Sequence, residues 1–81
     1  MKIIENYIDL VEVSYFGIAL YVPKDTRCIA TDKNGATFAY VDNVMDLVMG
    51  DSFWLGTSTS LLCKVDLQGK DWRVAIQGYN L

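Results

Sequence analysis

The sequence contains no histidine among its 81 residues. This excludes the Ser-His and Cys-His pairs that activate a catalytic nucleophile. The two cysteines, Cys28 and Cys63, are far apart, so the paired spacing of a zinc site is missing as well. Neither a Walker-type phosphate loop nor a Gly-x-Gly-x-x-Gly turn occurs. The aspartates fall in or beside predicted turns, where this residue is common. We therefore expect no enzymatic activity, no metal site and no cofactor.

Long apolar runs are also lacking. The longest, residues 15–22, ends at Pro23, whereas a membrane-spanning helix needs about 20 apolar residues. Glu5 and Asp9 interrupt the apolar residues near the start, so we expect no secretory signal. A small secreted scaffold would normally carry four or more cysteines. We expect a cytoplasmic protein, with no membrane association, in which both thiols are free and serve as small apolar residues.

Positive charge is scarce and scattered. Seven basic residues stand against ten acidic ones, a net charge of −3. No basic run or stripe could supply the phosphate contacts that nucleic-acid binding needs, so none is expected. The acidic residues form no block that could imitate a phosphate ladder.

Hydrophobic residues make up 52% of the chain, which predicts one folded domain over residues 1–81. The strongest local pattern is a hairpin at residues 27–41, with two β-prone runs on either side of Asn34-Gly35. Asp32, Asn34 and Gly35 also resemble a fragment of a calcium loop. The corresponding flanking positions are Ala30 and Val41, which cannot bind calcium. We favour the hairpin turn.

The remaining pattern predicts a mainly β fold, a small antiparallel sheet of four to five short strands, with α+β as the alternative. Strands are predicted at residues 18–22, 53–55 and 61–66, with turns at residues 23–26 and 68–71. Residues 72–76 fit either a strand or a helical turn. Residues 2–11 fit a short helix or an irregular arm. A helical turn is predicted at residues 43–49, capped by Asp42 or Asn43 and ended by Gly50.

This helical turn is unusually apolar, and its side chains cannot all point inward. Methionine and tryptophan are also typical of adaptable protein interfaces. We therefore predict a partner-binding surface, although burial of the large aromatics in the core is an alternative. The candidate residues are Val44, Met45, Leu47, Val48, Met49, Phe53 and Trp54.

The stretch from Val22-Pro23 through Ile29-Ala30-Thr31-Asp32 and Gly35 resembles small, mostly uncharacterised accessory proteins of tailed bacteriophages. The ending from Lys64 to Arg73 is similar to theirs too, and the resemblance covers about residues 15–76. The chain departs from their pattern at residues 42–49, where those proteins usually carry a proline. The resemblance implies a phage protein in the host cytoplasm.

Small phage accessory proteins commonly bind and block a host factor. The resemblance therefore implies a non-enzymatic inhibitor of a host protein, with a component of an antiviral defence system as the expected target. A second hypothesis is an oligomeric sponge for a small nucleotide signal, because tyrosines and cations at subunit boundaries suit a base and a phosphate. Its candidate ligand-binding residues are Lys24, Arg27, Arg73 and Tyr40. A third hypothesis is a structural or virion-associated role.

Overall fold

The computed structural model describes residues 1–2 and 10–80, which form antiparallel β-structure with two short 3-10 turns. The strands are β1 (Leu10–Tyr15), β2 (Ile18–Pro23), β3 (Cys28–Thr31), β4 (Ala36–Tyr40), β5 (Val48–Met49), β6 (Trp54–Leu55), β7 (Ser58–Lys64) and β8 (Ile76–Gly78). A four-stranded sheet has the order β7-β4-β3-β8, while β1 pairs with β2 and β5 with β6. The prediction of a mainly β, antiparallel fold is confirmed. No helix in the described part of the chain has the length and apolarity to cross a membrane.

The predicted hairpin at residues 27–41 is present as β3 and β4, in the register Cys28↔Tyr40 to Thr31↔Thr37. Its loop is one residue longer than the two-residue turn that Asn-Gly predicts. Backbone bonds from Asp32 N to Ala36 O and from Gly35 N to Asp32 O leave three residues in the loop. Only Gly35 has a positive φ, 92°. An added Cβ there would also lie 2.2 Å from the Val65 carbonyl oxygen, so the position requires glycine.

Strand β3 is buried on both faces because a separate element covers each one. Ile29 and Ala39 pack under the β1–β2 hairpin, against Val13, Tyr15 and Val22. The opposite face carries a second apolar cluster, formed by Cys28, Ala30, Tyr40 and Leu47. The four-stranded sheet is thus the middle layer of the fold.

Three hydroxyl groups connect the β1–β2 hairpin to the sheet. Tyr15 Oη lies 2.8 Å from Thr31 Oγ1 and 2.8 Å from the Ala75 carbonyl oxygen. Thr31 Oγ1 lies 2.9 Å from Thr37 Oγ1, which is 3.2 Å from the Gly35 carbonyl oxygen. Three protons cannot serve four contacts. The carbonyl oxygens can only accept, so Tyr15 donates to Ala75 O and Thr37 donates to Gly35 O. The Thr31 proton is then left for either Tyr15 or Thr37.

Other predicted boundaries need correction. The helical turn at residues 43–49 covers only Val44–Asp46, and the Asn43 side chain makes no capping bond. Val48 and Met49 are strand β5, paired with β6, so Gly50 does not end a helix. Strand β7 begins at Ser58, before the predicted start at residue 61, and stops at Lys64 rather than at residue 66.

The helical turn and the strand predicted as alternatives for residues 72–76 occur one after the other. A 3-10 turn covers Trp72–Val74, and β8 follows it. The turn at residues 23–26 closes as predicted, with Thr26 N donating to Pro23 O at 3.0 Å. The predicted helix at residues 2–11 lies largely outside the described residues, and its last two positions, Leu10 and Val11, belong to β1.

Both cysteines are free thiols. Cys28 lies on β3 and Cys63 on β7, with β4 between them. Strands two positions apart in a sheet are separated by about 9–10 Å, beyond the Cα separation of about 7 Å that a disulfide tolerates.

Thr26 offers a direct test of the packing. Its side chain is 1% exposed, and its hydroxyl oxygen has no hydrogen-bond partner among the described residues. We expect Thr26→Val to raise the free energy of unfolding by about 1 kcal/mol, because the unpaired hydroxyl is removed. Chemical denaturation measures this. Thr37→Val is the matched control and should lower stability, since its hydroxyl is bonded. A loss of stability in Thr26→Val would contradict the assignment.

Alkaline pH should destabilise the fold. Burial, with the nearby Asp42 carboxylate, raises the pKa of the Cys28 thiol from 9.0 to about 11, and burial raises the pKa of Tyr15 from 10.0 to about 12. The unfolded chain therefore loses these protons first. The stability that these two protonated groups contribute is complete below pH 9 and is lost as the pH rises above 9. Denaturation at stepped pH should show stability falling from about pH 9 in the wild type but only from about pH 10 in Cys28→Ala. Identical onsets would contradict this.

Candidate functional site

Residues 42–57, here called the cover segment, lie over the Cys28 and Ala30 face of the sheet. Trp54 attaches this segment at three points. Its indole Nε1 donates to the Thr31 carbonyl oxygen at 3.1 Å, and its backbone N donates to Asp32 Oδ1 at 2.9 Å. Its ring meets Trp72 edge-on, with 6.0 Å between centroids. The aromatic side chain that could have served an interface therefore holds the cover segment in place.

Leu47 is the second attachment. It is 9% exposed and belongs to the cluster with Cys28 and Tyr40. Gly56 allows this approach, because a Cβ there would lie 2.2 Å from Leu47 Cδ2 and 3.2 Å from Tyr40 Cδ1. The Asp42 carboxylate accepts a hydrogen bond from Thr57 N and joins the two ends of the segment.

The β5–β6 pairing determines which side chains of the cover segment face outward. Val48 is opposite Leu55, and Met49 is opposite Trp54. Side chains alternate along a strand, and Trp54 points toward the sheet. Val48 and Leu55 therefore point away from it, with 60% and 47% exposure. Met45, in the preceding 3-10 turn, is 88% exposed.

The structure divides the predicted partner-binding residues into two groups. Five are exposed by 39% or more: Val44, Met45, Val48, Met49 and Phe53. Leu47 is in the interior, which corrects its assignment to the surface, and Trp54 is partly buried. Sequence reasoning missed Leu55, which lies beside Val48. The pairing of two-residue strands placed it there, and no periodic pattern in the sequence indicates that pairing.

We call the exposed group the apolar surface, defined by Val44, Met45, Val48, Met49, Phe53 and Leu55. Its surroundings are acidic. Residues 41–63 contain three aspartates and no lysine or arginine. Asp42 is bonded within the fold, whereas Asp46 and Asp51 are exposed. Two basic residues also border the surface: Lys33 and Arg73 line an open cavity with Met49, and Lys33 lines another with Phe53.

The four residues of the nucleotide hypothesis are not brought together. Lys24 and Arg27 precede β3, while Arg73 lies near its other end, since Thr31 N donates to Ala75 O. Arg73 is held by Asp71, with Nη2 to Oδ2 at 2.8 Å. The Tyr40 hydroxyl donates to the Trp54 carbonyl oxygen at 3.4 Å, and burial raises its pKa to about 12.

Within residues 1–2 and 10–80, no group of three or more histidine, cysteine, aspartate or glutamate side chains could hold a metal ion. Comparison with protein-family models, with curated proteins and with solved structures finds no significant match for this chain.

Gly56→Ala tests the attachment of the cover segment. The added methyl group meets Leu47 and the Asp42 carboxylate, so we expect the free energy of unfolding to fall by about 1–3 kcal/mol and the fluorescence of Trp54 to change. Ser52→Ala, at an exposed position of the same segment, should leave both quantities unchanged. A stable Gly56→Ala variant with unaltered fluorescence would show that Leu47 is not tightly packed.

Proposed function

We propose that this chain is a non-enzymatic binding protein that attaches to a host protein through the apolar surface and inhibits it. The observation that carries the proposal is the exposure of Met45, Val48 and Leu55 on a segment that Trp54 and Leu47 hold to the sheet. Exposed apolar side chains on a fixed backbone are typical of protein-binding sites, because little conformational freedom is lost on association.

The exposed charges on the cover segment favour a basic partner. Asp46 and Asp51 are exposed there, so a complementary protein carries apolar side chains framed by lysine and arginine. A second copy of this chain is a poor partner for the apolar surface. A two-fold contact through the same surface would bring the aspartates of both copies together. The sequence leaves a homo-oligomer open as an alternative, but this surface does not favour one.

The inhibitory role and the host setting follow from the resemblance to phage accessory proteins. A component of an antiviral defence system is the proposed target class. The absence of histidine and of paired cysteines supports action by occupying a surface of the target rather than by modifying it.

Met45→Asp combined with Val48→Asp tests this proposal. Both side chains are more than half exposed, so the double variant should keep the wild-type melting temperature. Immobilised wild-type chain should retain one host protein in stoichiometric amount and inhibit that protein's activity once it is purified. The double variant should lose both effects, with affinity reduced by at least about 100-fold.

Val74→Asp is the matched control, because Val74 is 59% exposed but lies outside the cover segment. It should bind and inhibit as the wild type does. Asp46→Asn with Asp51→Asn should slow association and weaken its salt dependence. Full inhibition by a folded Met45→Asp, Val48→Asp variant would overturn the assignment of the surface.

A further inference from the structure

A cleft of about 260 Å³ lies on a different part of the molecule from the cover segment. It is enclosed by the β1–β2 turn, the loop after β7 and Ala75, and Tyr15 and Thr31 line it. Most of its remaining wall is apolar, formed by Phe16, Ile18, Val65 and Leu67. Apolar walls with a few polar groups are characteristic of small-molecule sites.

Two turns with the same unusual backbone border this cleft. Phe16 and Gly17 have φ of 46° and 83°, and Gln68 and Gly69 have φ of 50° and 84°. Successive positive φ values define a type I′ turn, whose first position favours Asn, Asp or Gly. Phe16 and Gln68 are the two non-glycine residues with positive φ in the described part of the chain, and both line the cleft. Strained residues of this kind concentrate at functional sites.

Phe16 is held in its position by two neighbours. Its ring meets the Tyr15 ring edge-on at 4.8 Å between centroids, and the Lys70 ammonium lies 4.4 Å from its centroid. Phe16 is nevertheless 47% exposed. Because Phe16 is only partly buried, it contributes less to the core than an interior residue would. Its strained turn is therefore not explained by packing alone.

Lys70 places a positive charge in the lining of the cleft. Its ammonium contacts the face of an aromatic ring rather than a carboxylate, and none of its N–H groups donates a hydrogen bond within the described residues. The single acidic residue of the lining, Asp66, uses Oδ1 to accept from Gln68 N at 2.9 Å. The three ammonium donors are therefore available to an incoming anion.

We propose that this cleft binds a small planar aromatic anion. The ring lies among Phe16, Ile18 and Val65, and the anionic group accepts hydrogen bonds from Lys70. The volume of about 260 Å³ is just below the roughly 300–1,000 Å³ of sites for drug-sized ligands, so the ligand has a single ring system. The site shares no lining residue with the apolar surface, and the inference is independent of the proposed function.

Titration of the ¹⁵N-labelled full chain with benzoate tests the proposal by the amide shifts of the two turns. Acetate carries the charge without the ring, and benzamide carries the ring without the charge. We expect saturable shifts at Gly17, Gln68 and Gly69 with benzoate, at an affinity about tenfold higher than for either control compound. Equal affinity for acetate, or no saturable shift in these turns, would overturn the proposal.

Lys70→Gln should weaken benzoate binding about tenfold, whereas Lys33→Gln, a lysine outside the cleft, should not change it. The Met45→Asp, Val48→Asp variant should bind benzoate normally, which separates this site from the apolar surface. Unchanged benzoate affinity in a folded Lys70→Gln variant would be decisive against the site.

Phe16→Asn separates binding from turn stability. Asparagine suits a type I′ turn better than phenylalanine, so the melting temperature should be unchanged or higher while benzoate binding is lost. Retention of benzoate binding in this variant would show that the Phe16 ring is no part of the site.

Discussion

Thr31 bonds through each of its polar atoms to a different part of the chain. Its N–H donates to Ala75 O, its carbonyl accepts from Trp54 Nε1, and its hydroxyl meets those of Tyr15 and Thr37. Removing the Ala75 or the Trp54 contact would leave a Thr31 backbone group unpaired, which is more costly than the net value of the bond. The β1–β2 hairpin, the sheet, the cover segment and the turn before β8 thus have their positions fixed at one residue.

The attachment of the cover segment to the sheet explains why apolar side chains of this segment remain exposed. The cover segment uses Trp54 and Leu47 to attach to the sheet, and a pair of two-residue strands has only one inward face. Val48 and Leu55 are then left on the outer face. A small domain buries a limited fraction of its surface. Six of the thirteen large apolar side chains exposed in the described part of the chain lie on the cover segment. Its backbone is fixed, a condition that favours recognition of another protein.

The sequence was sufficient to predict those elements whose signals are local. Asn34-Gly35 between two β-prone runs predicted the β3–β4 hairpin, and Pro23 predicted the turn before β3. The excess of apolar residues after Asp42 predicted an exposed surface without showing which residues would be outward. The Phe16-Gly17 turn was not predicted, because phenylalanine is unusual at positive φ. The β5–β6 pairing depends on Trp54 reaching Thr31, a contact between distant positions that leaves no periodic pattern.

The cover segment is attached to β3 as firmly as the strands of the sheet are attached to one another. Hydrogen exchange of the Trp54 indole N–H, compared with that of the Thr31 amide, tests this attachment most directly. Because the two groups are bonded through the same residue, they should be exposed in the same global opening and show similar free energies of exchange. Exchange of the indole N–H at a much lower opening free energy than the Thr31 amide would contradict the account, since the cover segment would then open independently of the sheet.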